Sequence, residues 1–155
     1  MTRDYILNVA RACIGTQENT DRHKTIVDIY NQYPNKSRQY KLSMHDPWCA
    51  AFVSAVFIAA GAPAMIPIEC SCWMMKQAGE NRGMLRDKDR YIPKPGDIIF
   101  YRWSGKKQTS HVGLVESIKG SSLKVIEGNF NDKVGVRQIR LSYPYIDSYL
   151  EVEYD

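Results

Sequence analysis

A cysteine in the first turn of a helix is a potential nucleophile, and Cys49 is placed to be one. The stretch from Asp46 to Gly61 (Asp46-Pro47-Trp48-Cys49-Ala50-Ala51-Phe52-Val53-Ser54-Ala55-Val56-Phe57-Ile58-Ala59-Ala60-Gly61) reads as one helix. Asp46 fits the N-cap, and Pro47 fits the first helical position, where a missing N–H costs nothing. Gly61 fits the left-handed residue that ends a helix. Almost everything between is apolar, so the helix is expected to be buried on most sides. Cys49 would then meet free backbone N–H groups and the positive end of the helix dipole, which favour a thiolate. The competing reading is an inert core thiol, since free cysteine is often buried.

A nucleophilic sulfur needs a base, and the base needs a third group to hold it. The chain has three histidines. His23 reads as an exposed residue of an early helix, and His45 lies in the loop that leads into the cysteine helix. His111 opens a strand, and Glu127 and Asn129 close the next one. A hairpin turning at about Gly120 leaves His111 nine residues before the turn and Glu127 seven after it. Antiparallel pairing therefore brings them nearly level. Alternation puts His111, Gly113 and Val115 on one face, and Leu123, Val125, Glu127 and Asn129 on one face of the neighbour. Taken singly, His111 could be a water-bonded strand end and Glu127 a surface carboxylate. Their joint placement favours a site.

The elements that must carry these residues follow from periodicity. Tyr5 to Gly15 and Thr20 to Tyr33 read as helices, the second closed by Pro34. A polar stretch, 35–45, leads into the cysteine helix. Cys72 to Gln77 reads as a short helix, with a loop over 79–90. Trp73, Met74 and Met75 read as core or groove lining. Strands are expected at Ile98–Trp103, His111–Ile118, Leu123–Glu127 and Val134–Leu141, with a loop over 128–133 and a last edge at Tyr149–Tyr154. Helices first and an antiparallel meander afterwards make an α+β domain.

With 155 residues, 44% apolar and 25% charged, the chain has the composition of an ordinary globular protein. Its net charge of +4 is spread in short clusters, such as Lys106-Lys107, which read as solvated surface rather than a nucleic-acid footprint. Cys13, Cys49, Cys70 and Cys72 have neither zinc-ligand spacing nor the density of a disulfide framework. Neither a signal peptide nor a transmembrane segment is read, the longest apolar run (50–60, broken by Ser54) being too short.

Four blocks resemble those of a CHAP domain, in order: Trp48-Cys49-Ala50-Ala51-Phe52-Val53, Pro95-Gly96-Asp97-Ile98-Ile99-Phe100, His111-Val112-Gly113-Leu114-Val115 and Glu127-Gly128-Asn129. CHAP domains are cysteine- and histidine-dependent amidohydrolases/peptidases with a papain-like (NlpC-type) fold. The blocks cover about residues 45–141. The opening helices, with Ile14-Gly15 and Glu18, are similar to those preceding the domain in phage and bacterial wall hydrolases. The resemblance implies that residues 1–155 form one catalytic domain, with N-terminal helices packed on an antiparallel sheet. It implies hydrolysis of a peptidoglycan amide bond, as an endopeptidase or an N-acetylmuramoyl-L-alanine amidase. Cys49 would be the nucleophile and His111 the general base and later acid. Glu127 would orient the imidazole, and Asn129 would assist as a polar group. The backbone N–H of Cys49 would face the oxyanion.

Two departures accompany the resemblance. A papain-type oxyanion glutamine some six residues upstream is missing, because position 43 is Ser43 and Gln39 is off register. The aspartate-rich calcium loop of some members is reduced to Asp46, so no metal is expected, and no cofactor. The expected partner is peptidoglycan, through its stem peptide or cross-bridge, and not nucleic acid. A holin, a targeting chain or an immunity protein would complete the picture of a chain made in the cytoplasm that acts at the wall after release or non-classical export, as a phage lysin does. Two alternatives remain open at this point. One is a papain-like secreted antibacterial effector or amidase with another substrate, and the other is a non-catalytic wall-binding module with a structural Cys49.

Overall fold

The computed structural model describes residues 1–155. Three helices come first: α1 (Arg3–Ala12), α2 (Asp21–Gln32) and α3 (Cys49–Ala59). A single 3-10 turn (Pro63–Met65) and α4 (Cys72–Asn81) follow. The strands are β1 (Leu85–Asp87), β2 (Ile98–Tyr101), β3 (His111–Lys119), β4 (Ser122–Phe130), β5 (Lys133–Arg140) and β6 (Ile146–Leu150). They form one antiparallel sheet in the order β1-β6-β2-β3-β4-β5. The fold is α+β, as the helix and strand patterns imply.

Local chemistry explains most boundaries. Thr2, Thr20 and Ser71 cap α1, α2 and α4, their hydroxyls accepting from the N–H groups of Tyr5, His23 and Met74. At the end of α3, Gly61 adopts φ +76°, and the amides of Gly61 and Ala62 bond back to Ile58 and Phe57. That is the paired pattern a left-handed glycine permits.

The start of α3 differs from expectation. The helix begins at Cys49, and Trp48 is its N-cap, without a side-chain cap bond. Asp46 faces the other way, because its carboxylate accepts from the Ser43 amide and the Tyr40 hydroxyl. A tight local turn satisfies Asp46, which leaves the first amides of α3 uncapped.

Other expectations are corrected in the same terms. Helix α4 runs on to Asn81, because Gly79 lies flat against Leu150, where a Cβ would sit 2.4 Å from a leucine methyl. The loop expected over 79–90 therefore contains a helix end and β1. The loop expected at 128–133 is mostly strand, with a bulge after Glu127 and a turn at Asn131-Asp132, both at positive φ. The last edge expected at Tyr149–Tyr154 is not one: the strand ends at Leu150, β6 lies between β1 and β2, and Tyr149 is fully buried. Strand β2 ends at Tyr101, short of Trp103.

The sheet has two apolar faces, as strict alternation requires. Val112, Leu114 and Ile126 join the main core with α1, α2 and α3. Val115, Leu123 and Val125 point the other way, into a smaller core with Ile99, Tyr101 and Tyr149. Every residue from Cys49 to Phe57 is buried, so α3 is enclosed on nearly all sides.

Helix α3 meets the sheet at Gly128. A Cβ there would lie 2.5 Å from Phe52 Cβ and 3.2 Å from the Trp48 ring. Absence of a side chain lets the first turn of α3 seat directly on β4. Gly128→Ala is expected to destabilise the protein by about 1–3 kcal/mol through overpacking, read as a lowered unfolding midpoint. An unchanged midpoint would contradict this seating.

Candidate active site

Cys49 opens α3, and His111 opens β3. Both line one cleft of about 710 Å³ together with Pro47, Trp103, Gln108 and Asn129. The β3–β4 register pairs Leu114 with Ile126 and Val115 with Val125, so Gly113 falls opposite Glu127. Glu127 is thus diagonal to His111, two residues along. It reaches the ring because Gly113 has no side chain: a Cβ there would lie 2.8 Å from Glu127 Cγ. The result is a 2.9 Å contact between Glu127 Oε1 and His111 Nε2. With Nε2 engaged, Nδ1 is the nitrogen left for the sulfur of Cys49.

Glu127 is fully buried, so its charge needs a second partner. Arg137 supplies it, its Nε–H donating to both carboxylate oxygens at 2.9 and 3.0 Å. The guanidinium lies over Phe130 (4.6 Å), Trp103 (5.1 Å) and Tyr101 (5.6 Å), a cation held by three aromatic faces. Trp103 and Tyr101 also flank the His111 ring, at 5.6 and 5.7 Å between centroids. The imidazole therefore has little freedom to turn.

The electrostatics are those of an ion pair. A hydrogen bond from Cys72 holds the Cys49 thiol well below the usual thiol range. Burial opposes this, while the hydrogen bond and charge of His111 and the Ala50 amide add to it. For His111, burial works against the charged ring, yet the bonds to Cys49 and Glu127 and their negative charges raise it to about 9. A thiolate and an imidazolium thus coexist between the depressed value of Cys49 and about pH 9. Below that window the sulfur is protonated, and above it the ring loses its proton. The amide of Cys49 has no backbone acceptor, so it is free to face a developing oxyanion.

Cys72 stands beside the sulfur, with Sγ···Sγ 3.2 Å. Like Cys49 it is the first residue of a helix. Sequence reasoning missed it, because a Cys-Ser-Cys triplet carries no signal of contact with a residue 23 positions away. Arg137 was missed too, although its signal was available. It sits on β5 opposite Val125, next to the pair Glu127–Gly135, on the face shared by Glu127.

The other expected residues fall as follows. Asn129 lines the cleft at φ 55°, but its side chain bonds neither nitrogen of His111. Gln39 points away, donating to the Pro34 carbonyl. The glutamine in the cleft is Gln108, on the loop before β3. Thr109 anchors that loop to Asp147, which also pairs with Lys76 of α4. His23 is not exposed. It is fully buried, with its ring 4.4 Å from that of Trp48 and its Nδ1 accepting from the Asn19 amide. Trp48 in turn donates its indole N–H to Glu18 at 2.8 Å. The α1–α2 connection therefore braces the residue just before Cys49.

A second arm of the groove, about 360 Å³, shares Pro47, Cys49, Gln108, Thr109 and Ser110 with the first. Trp73 and Tyr40 line it, while Met75 is core. Lys106 and Lys107, without ion-pair partners, line the larger arm. No group of three or more His, Cys, Asp or Glu is gathered as metal ligands. No helix is long and apolar enough to cross a membrane.

The model of the CHAP domain family matches residues 39–129, more than half of the sequence. This chain belongs to the CHAP domain family. No curated protein matches the sequence. In fold the chain is similar to the crystal structure of Ly7917, with TM-score 0.59 and 16% identity over 98% of this chain and 62% of that one. A structure of Ly7917 with the hydrolyzing product of MDP gives TM-score 0.56 and 16% identity, over 97% and 63%. The chain spans about three fifths of the length of these neighbours.

The ion pair has a direct chemical consequence. Iodoacetamide at about pH 6 is expected to alkylate Cys49 first, since the thiols of Cys13, Cys70 and Cys72 are all shifted upward. His111→Ala should slow that labelling by about tenfold or more. Even labelling of all four cysteines would rule the ion pair out.

Proposed function

We propose that this chain hydrolyses an amide bond of bacterial peptidoglycan through a covalent thioester on Cys49. The observation that carries the reading is the buried Cys49–His111–Glu127 line opening onto a groove with two arms. Family membership supports it, and so does the likeness to Ly7917, one of whose structures contains the hydrolyzing product of MDP. Residues 1–155 act in this reading as one catalytic unit.

The Cys49 thiolate attacks the scissile carbonyl. The free amide of Cys49 at the start of α3 receives the oxyanion. His111, protonated in the resting state, gives its proton to the leaving amine, and the C–N bond breaks to leave a thioester. The ring, now neutral, takes a proton from water. Hydroxide attacks the thioester, the acid product leaves, and the thiolate–imidazolium pair returns. Glu127 keeps the ring oriented throughout, with Arg137 as its positioning residue. Asn129, Gln108 and the two free lysines contact substrate, the lysines suiting the carboxylates of a stem peptide. Activity is confined to the pH window of the ion pair, with an alkaline limb near 9.

Mass spectrometry of purified walls digested by wild type and Cys49→Ala, side by side, tests the reading. Wild type should release new amine-bearing fragments. Both Cys49→Ala and His111→Ala should lose at least about a thousandfold in rate while keeping the fold. Glu127→Gln should lose less than either, since part of the orienting bond survives. New amino termini with muramoyl–alanine links intact define an endopeptidase, and unmasked lactyl ends define an amidase. Wall clearing by Cys49→Ala at the wild-type rate would overturn the assignment.

A further inference from the structure

We infer that Cys49 and Cys72 form a reversible disulfide, so that peroxides close the site covalently and thiols reopen it. The inference rests on the reading of Cys49 as the nucleophile.

The two sulfurs are 3.2 Å apart, so bond formation asks for a movement of only about 1 Å. Their approach is built rather than incidental. Ser54 is the one polar residue of α3, and it is buried. Its hydroxyl donates to the Glu69 carbonyl at 2.8 Å and accepts from the Glu69 amide at 3.0 Å. The Glu69 side chain, 1% exposed, then accepts from the amides of Cys70 and Ser71 and pairs with Arg38. This clip holds the first residue of α4 against the first residue of α3. A core thiol needs no such arrangement, because an apolar side chain of similar size would fill the space next to Cys49.

Access is available, since Cys49 and Cys72 both line the smaller arm of the groove. The ionised sulfur of Cys49 attacks hydrogen peroxide, the O–O bond breaks to give a sulfenic acid and hydroxide, and the hydroxide takes the His111 proton to become water. Cys72 attacks that sulfur through its own sulfur, the S–O bond breaks, and the proton of Cys72 leaves with the oxygen as water. Two thiols and one peroxide thus give one disulfide and two waters. The linked form has no thiolate at position 49 and no proton partner for His111. A dithiol reverses it by exchange at either sulfur. Without a neighbour, a sulfenic acid proceeds to sulfinic acid, which thiols do not reduce. Cys72 therefore also spares the nucleophile from irreversible oxidation.

Peptide mapping of the full chain after brief hydrogen peroxide treatment, without reduction, tests this directly. A peptide linking Cys49 to Cys72 is expected, with iodoacetamide labelling of Cys49 falling at least tenfold and returning after dithiothreitol. In Cys72→Ser, whose hydroxyl keeps a donor beside the Cys49 sulfur, and more slowly in Cys72→Ala, which lacks that donor, peroxide should leave Cys49 as sulfinic acid, with no recovery. Absence of the linked peptide in wild type overturns the inference, as does equal recovery of the Cys72 variants. Neither readout uses wall hydrolysis. A linked peptide in a protein that leaves walls intact would support the disulfide and remove the proposed function.

Discussion

Burial penalises both a lone thiolate and a lone imidazolium, and Cys49 and His111 are each almost closed off from water. Each charge is tolerable only because the other is present and because further dipoles and charges attend both. The Ala50 amide and the Cys72 thiol attend the sulfur. Glu127 attends the ring, and Arg137 attends Glu127. Removal of a charged member takes away the support that its neighbour's charge relies on, in a place that solvates charge poorly. The rest of the molecule can be understood as the means of keeping this chain of partners in line.

Two secondary structures of different kinds must converge for that. The start of a helix supplies the sulfur, and the start of a strand supplies the ring. Gly128 permits the helix to sit against β4, and Gly113 permits Glu127 to cross β3. Both are close approaches in which any side chain would push apart the groups that have to meet. From the opposite side, Trp48 is fixed by Glu18 and His23, which lie before the stretch that matches the family model. The N-terminal helices are therefore part of the frame that places Cys49, rather than an appendage to it.

Much of this arrangement was legible in the amino-acid order. A turn at Gly120 with unbroken alternation puts His111 beside the Glu127–Asn129 segment, and the register agrees to within one diagonal step. The bulge between Val115 and Ser117 falls on the turn side and leaves the site end in register. The start of α3 was misread because Asp46 and Pro47 have the right types at the right spacing, yet the Tyr40 hydroxyl and the Ser43 amide claim the carboxylate first. His23 was misread because one imidazole on a polar helix looks solvent-facing, and nothing in its neighbourhood announces a tryptophan from residue 48. Cys72 and β6 depend on contacts between distant segments, for which periodicity has no signature.

The central claim is that His111 carries a proton at neutral pH because Cys49 does not. Nitrogen NMR of the His111 ring, followed from about pH 5 to 11 in wild type and in Cys49→Ser, reads that proton directly. The account predicts two protonated ring nitrogens at neutral pH in wild type, with loss of one near pH 9 and a fall toward the ordinary histidine value in Cys49→Ser. A wild-type ring that is already neutral at pH 7, and titrates as it does in Cys49→Ser, would contradict it.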